Sequence, residues 1–250
     1  MKVLICKTSE LMSKKAAGLC AEKIKNKPCI VLGLATGSTP EKMYRELVRM
    51  HQKQGLDFSS ATTFNLDEYL GLPGTHTQSY RYYMDTKLFN HINIDKARTY
   101  ILNGMAADPE MECTEFEKKI QQAGGIDLQI LGIGRNGHIG FNEPGSPQEC
   151  RTRVVELSRQ TIRDNSRFFK KREEVPRKAL TMGIATILEA KEILLIADRT
   201  SKAAAVAGAV EGEVTTEVPG SFLQKHPQCT FLIDRDAASE LKGSYQFITW

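Results

Sequence analysis

Apolar residues fall along this chain in two alternating patterns. Residues 3–6, 29–34, 62–66, 126–131, 192–197 and 230–234 are short runs of apolar and β-branched residues, as strands buried on both faces require. Between them, residues 9–25, 78–89 and 108–122 place apolar side chains three or four apart among charged ones, the pattern of a helix with one buried stripe. Asp108 ahead of Pro109 marks a helix start. Residues 202–210 read as an alanine-rich helix, residues 100–102 as a brief strand, and residues 151–157 as an alternating segment. Residues 179–190 (ALTMGIATILEA) read as a helix or a small-residue turn packed on the core, and residues 247–250 as an edge strand or a docked terminus. Strand and helix thus alternate throughout, with no repeat and no linker. The expectation is one α/β domain over residues 1–250: a doubly wound, mainly parallel sheet with helices on both faces and its polar loops at the strands' carboxyl ends.

Composition narrows the class. A chain of 250 residues, 41% apolar and 26% charged, is an ordinary globular protein with a sizeable core. Its 34 basic and 30 acidic residues give +4, spread along the chain, so anionic small molecules are mildly favoured and nucleic acid is not an expected partner. The six cysteines include no C-x-x-C pair and read as reduced thiols, several inside apolar runs. No apolar stretch reaches about 18 residues and the first apolar run is too short for a secretion signal. A cytoplasmic protein with no membrane partner is expected.

Candidate chemistry sits in the loops. Residues 131–145 (LGIGRNGHIGFNEPG) follow a buried run with Gly132, Gly134, Gly137 and Gly140 interleaved with Asn136, His138 and Glu143. Glycines let the main chain approach a ligand, and His138 can exchange a proton near neutral pH unaided. After residues 29–34 comes ATGSTPEK, where Ser38 and Glu41 fit a capping box and Pro40 suits a first helical turn. The helix end, with Thr36, Gly37, Ser38 and Thr39, is an anion site of phosphate size, without a dinucleotide or nucleotide fingerprint. Asp67 and Glu68 end the third strand; one is expected to face the ligand and the other to serve structure. Asp198 to Lys202 repeat the strand-to-helix device, and Lys202 opposes the helix dipole unless an anion binds. No metal-ligand spacing and no G-x-S-x-G elbow occurs. A phosphate grip including Arg167 and Lys202, a carboxylate base and a histidine suit proton transfer on a sugar phosphate.

LGLATGSTP, FNLDEYLGL, LGIGRNGHIGFNEPG, CRTR, DNSRFF and ALTMGIATILEAKEI, in this order over nearly the whole chain, resemble the glucosamine-6-phosphate deaminase (isomerising) family. The resemblance implies a single-domain, Rossmann-like fold of the sugar-phosphate isomerase/deaminase type. It implies conversion of glucosamine 6-phosphate and water to fructose 6-phosphate and ammonia in amino-sugar catabolism, without metal or organic cofactor. It makes Asp67 the base that moves a proton from C2 to C1, and His138, with Glu143 and Asn136, the ring-opening group. Thr36, Gly37, Ser38, Thr39, Arg167 and Lys202 would hold the phosphate. Many members carry an aspartate where Asn136 stands. Allosterically activated hexameric members are longer and carry a lysine at Val155, while Arg153 is kept, so the activator site (for N-acetylglucosamine 6-phosphate) is expected to be incomplete, in a monomer or homo-oligomer. Two alternatives stand beside this reading: a 6-phosphogluconolactonase, which shares the G-x-G-x-[ND]-G-H loop, and a sugar-phosphate-sensing effector domain without turnover.

Overall fold

A computed structural model describes residues 1–166, 169 and 175–248, in which the alternating pattern becomes alternating elements. The strands are β1 (Lys2–Cys6), β2 (Val31–Leu34), β3 (Thr62–Asn65), β4 (Asp67–Tyr69), β5 (Thr99–Tyr100), β6 (Leu128–Leu131), β7 (Arg153–Glu156), β8 (Lys178–Thr181), β9 (Glu192–Ala197), β10 (Cys229–Asp234) and β11 (Gln246–Ile248). The helices are α1 (Ser9–Asn26), α2 (Ser38–Gln54), α3 (Tyr80–Lys87), α4 (Pro109–Gln122), α5 (Arg159–Ser166), α6 (Ile184–Leu188) and α7 (Ala203–Glu211).

Among the described residues, eight strands form one sheet in the order β11-β1-β10-β9-β6-β2-β3-β5, parallel at every pairing. Successive residues of a strand point to opposite faces, so each central strand feeds two cores. Val3, Ile5, Leu195 and Phe231 enter one, which α4, α6 and α7 cover through Phe116, Ile187 and Val206. Leu4, Ile130, Ile196 and Leu232 enter the other, beneath α1, α2 and α3 with Met12, Tyr44 and Met84. That is why these runs are apolar without alternation.

The chain builds outward from β2 through β3 to β5, then returns to lay β6 on the other side of β2 and continues through β9 to β10. Strand order therefore reverses between β2 and β6, and the carboxyl ends of these two strands frame the crevice where such sheets bind ligands. The Thr36–Thr39 loop after β2 and the Gly-rich loop after β6 issue there.

The structure adds a second sheet, antiparallel β4-β8-β7. It corrects the helical reading of residues 179–190: only Ile184–Leu188 is helical, because Ala179 and Leu180 pair with Tyr69 and Glu68 on one side and Val155 and Val154 on the other. Cross-strand pairing outweighs the helix propensity of alanine and leucine. β11 is an edge strand on β1, with Thr249 and Trp250 outside the described residues. All six cysteines are free. Among the described residues no helix is long and apolar enough to cross a membrane.

Candidate active site

Asp67 opens β4 opposite Thr181 of β8. It is 6% exposed, faces Gly140 of the loop after β6, and accepts no hydrogen bond from the described residues. Burial, with the Glu68 charge adding, pushes its carboxyl up to about 8. Glu68, one residue on, turns to the start of α3. Its Oε1 accepts the backbone N–H of Tyr69 at 2.8 Å and Tyr80 at 2.9 Å, and its Oε2 that of Arg81 at 3.0 Å. The adjacent acids thus divide: Glu68 anchors a helix N-terminus, and Asp67 is left for the crevice.

The loop after β6 is a tight turn, with Gly134 N–H donating to the His138 carbonyl at 2.8 Å and Gly137 N–H to the Gly134 carbonyl at 3.1 Å. A Cβ on Gly134 would stand 2.2–2.4 Å from three atoms of the His138 ring, so only glycine admits the imidazole there. His138 Nδ1 lies 3.6 Å from Glu143 Oε2, just beyond hydrogen-bond reach. Asn136 bridges the pair: its Nδ2 donates to that same oxygen at 2.7 Å and its Oδ1 accepts the His138 backbone N–H at 3.3 Å. Glu143 Oε1 accepts the hydroxyls of Ser158, at 3.1 Å, and of Thr161 in α5. Burial alone would raise this carboxyl; His138, Thr161 and Asn136 together bring it down to about 2.

Buried Asn142 ties the two acids' elements together. Its Nδ2 donates to the carbonyls of Ile139 at 2.8 Å and Met182 at 2.9 Å, while Arg153 Nη1 donates to its Oδ1 at 2.8 Å. Met182 N–H in turn donates to the Leu66 carbonyl at 2.7 Å, next to Asp67.

The loop expected to take an anion follows β2. The expected Ser38–Glu41 capping box does not form: Gly37, at φ 109, is the N-cap of α2 and no side chain caps it. Groups across the crevice compete successfully. Ser38 Oγ accepts Arg199 Nη2 at 2.6 Å, Thr39 Oγ1 donates to Asp198 Oδ1 at 2.7 Å, and Glu41 pairs with Lys87 at 2.8 Å. The first N–H groups of α2 therefore carry no side-chain cap, which keeps them as anion donors. Thr39, having given its hydroxyl hydrogen to Asp198, shapes the loop and has none to offer an anion. Thr36 is half-buried, Gly37 and Ser38 exposed. Lys202 ends the 3-10 turn Thr200–Lys202 after β9 and precedes α7, which also lacks a side-chain cap; the hydroxyl-capped helix expected there is replaced by this turn. Arg167 lies outside the described residues.

Hydrogen bonds join the Thr36–Thr39 loop to the turn after β9, and Asp67 stands beside Gly140 in the loop that carries Asn136, His138 and Glu143. Sequence reasoning missed Ser158, Thr161 and Asn142. The first two carried a signal: hydroxyls three apart at a helix start, where Thr161 N–H donates to Ser158 Oγ at 3.0 Å.

Fold and site define a doubly wound α/β protein with an uncapped helix start at its switch point, a buried acid whose pKa is raised and a half-buried acid whose pKa is lowered. The chain belongs to the glucosamine-6-phosphate isomerase/6-phosphogluconolactonase family, whose model matches residues 7–232. It is 52% identical to a glucosamine-6-phosphate deaminase of Clostridium perfringens (strain 13) over 242 residues, 97% of this chain and 100% of the relative. It is 56% identical to that of Alkaliphilus oremlandii over 232 residues, 93% and 96% of the two chains. Among solved structures it matches a monomeric glucosamine-6-phosphate deaminase at TM-score 0.94 and 50% identity, over 96% of this chain and 100% of the other. The 6-phosphogluconolactonase of Trypanosoma brucei, at TM-score 0.78 and 19% identity over 96% and 98% of the chains, shares the fold.

Proposed function

We propose that this protein converts glucosamine 6-phosphate and water to fructose 6-phosphate and ammonia, as an isomerising deaminase in the cytoplasmic breakdown of amino sugars derived from N-acetylglucosamine. Relatives bearing that name at 50–56% identity over nearly full length support the reading. The observation that carries it is the division of the two acids, with buried Asp67 raised to about 8 and half-buried Glu143 lowered to about 2. Titratable groups pushed apart by their surroundings mark acid–base roles.

In this reading Thr36, Gly37, Ser38, Arg167 and Lys202 hold the phosphate, with Thr39 fixing the loop. His138 moves a proton from the anomeric hydroxyl to the ring oxygen, and Glu143 and Asn136 set the orientation of its ring. Asp67 then takes the C2 proton of the open sugar and returns it to C1, and the ketimine hydrolyses with loss of ammonia. The substrate's ammonium at C2 offsets the charge that burial disfavours on Asp67. Val155 in place of a lysine favours a non-allosteric enzyme. A monomeric state is proposed by analogy with the structural relative.

The test is ammonia release from glucosamine 6-phosphate, with fructose 6-phosphate followed by a coupled assay and 6-phosphogluconolactone hydrolysis run in parallel. Equimolar ammonia and ketose are expected. Lactone hydrolysis without ammonia would make the protein a lactonase, and tight sugar-phosphate binding without either turnover a sensor.

A further inference from the structure

Arg199 is the only non-glycine among the described residues with a positive φ. At φ 78, ψ 146 it sits in a region that glycine alone occupies without strain. Nothing in the turn needs a side chain to make it: the backbone N–H of residue 199 donates to both oxygens of Asp234, at 3.2 and 3.3 Å. The chain therefore carries an arginine where glycine would serve the fold better, and the reason must lie in the guanidinium.

That group is aimed with care. Nε donates to buried Asp198 at 3.3 Å and Nη2 to Ser38 Oγ at 2.6 Å. Asp198 is held in turn by the hydroxyls of Ser9 at 2.9 Å and Thr39 at 2.7 Å. Arg199 is thereby fastened over the anion loop from the β9 side, half of its side chain exposed, with Nη1 unspent on the described residues. By accepting from Arg199, Ser38 keeps its own hydroxyl hydrogen for a ligand oxygen. A polar cleft of about 490 Å³ opens beside it, lined by Ser38, by the basic Lys7, Lys42 and Arg199, and by the acidic Asp198, Asp234 and Asp236.

We infer that Arg199 is a substrate-positioning residue: its guanidinium completes the phosphate grip of the Thr36–Thr39 loop, both by orienting the Ser38 hydroxyl and by presenting its free N–H groups to a phosphate dianion. The inference rests on the reading above both for the substrate and for the placing of its phosphate at the Thr36–Thr39 loop. Arginine suits this because its rigid, planar fork holds Ser38 and a phosphate oxygen in one fixed geometry, whereas a lysine offers a point charge on a flexible stem.

The test is Arg199→Gly, with Arg199→Lys beside it. Glycine removes the guanidinium and the backbone strain together, so the melting temperature is expected to match or exceed that of the parent. For glucosamine 6-phosphate, KM is expected to rise about tenfold with kcat within about twofold, and competitive inhibition by inorganic phosphate to weaken by about the same factor. R199K should fall between. An unchanged KM and unchanged phosphate inhibition in R199G, with the parent active, would overturn the inference and leave the deaminase reading intact. So would a loss of melting temperature with KM unchanged, since that would make the side chain structural. If the parent releases no ammonia, the deaminase reading falls, and calorimetric titration of parent and R199G with inorganic phosphate still decides the role of Arg199.

Discussion

Replacing Asp67 with asparagine isolates the cost of the buried acid. The carboxyl is buried, its pKa raised from 3.8 to about 8, and each pH unit corresponds to about 1.4 kcal/mol. A folded-state pKa above the unfolded value means that the folded protein holds the proton longer. The associated stability is complete below the unfolded value of 3.8, falls as pH rises, and is gone above the folded value of about 8. The full span is roughly 6 kcal/mol, an upper bound that structural relaxation and water entry reduce, so about 2–4 kcal/mol is expected. Asparagine has nearly the same shape and no charge. Asp67→Asn should therefore match the parent near pH 4 and exceed it at pH 9, with a melting temperature about 5–10 °C higher there. Deamination should drop by about a thousandfold, the order that loss of a general base produces. Melting curves between pH 4 and 9, read with ammonia release, check both limbs. A difference between the two proteins that does not grow with pH, or a parent more stable at pH 9, would refute the argument that burial keeps Asp67 neutral.

Two substitutions probe the supports. Gly134→Ala puts a methyl where the His138 ring lies, at 2.2–2.4 Å, so the imidazole must leave; kcat should fall at least tenfold with phosphate affinity kept, as single-turnover and inhibition measurements would show. Glu68→Gln deprives the α3 N-terminus of one of its acceptor oxygens, which should lower stability by about 1–3 kcal/mol in denaturant unfolding while KM stays at the parent value.

How much of this was legible from the residues depends on how local the cause was. The six apolar runs were readable because both faces of each strand are buried, a property carried by the run itself. The anion loop was readable for the same reason, since a strand followed by small hydroxyl residues and a helix is a contiguous signal. The small sheet was hidden because β4 is three residues long and its partners lie far along the chain, so Asp67 looked like a loop acid at a strand's end. The capping box misled because Ser38 and Thr39 bond Arg199 and Asp198, about 160 residues away, instead of their own helix. Which of Asp67 and Glu68 faces the ligand also waited on tertiary structure, since only the position of α3 shows that Glu68 is taken.

The two acids differ in their hydrogen bonds as well as in their burial. Asp67 is buried and Glu143 half-buried, and burial by itself raises a carboxyl's pKa. Glu143 receives Asn136, Ser158 and Thr161 and faces His138, whereas Asp67 receives nothing from the described residues, so the pKa of one is lowered and that of the other raised. Asn136 is central to that separation, because an amide donates to Glu143 without adding charge. An aspartate in its place would set two carboxylates at the 2.7 Å now spanned by the amide, where they would share a proton and titrate as a pair with one value strongly raised. Asn136→Asp should therefore shift the acid limb of kcat upward by about one pH unit or more and cut activity at pH 6 roughly tenfold, with recovery as pH rises. A profile that keeps the parent's acid limb would mean that Glu143 owes its charge to Ser158, just before α5, and to Thr161 within it, and that Asn136 serves only to hold the His138 backbone.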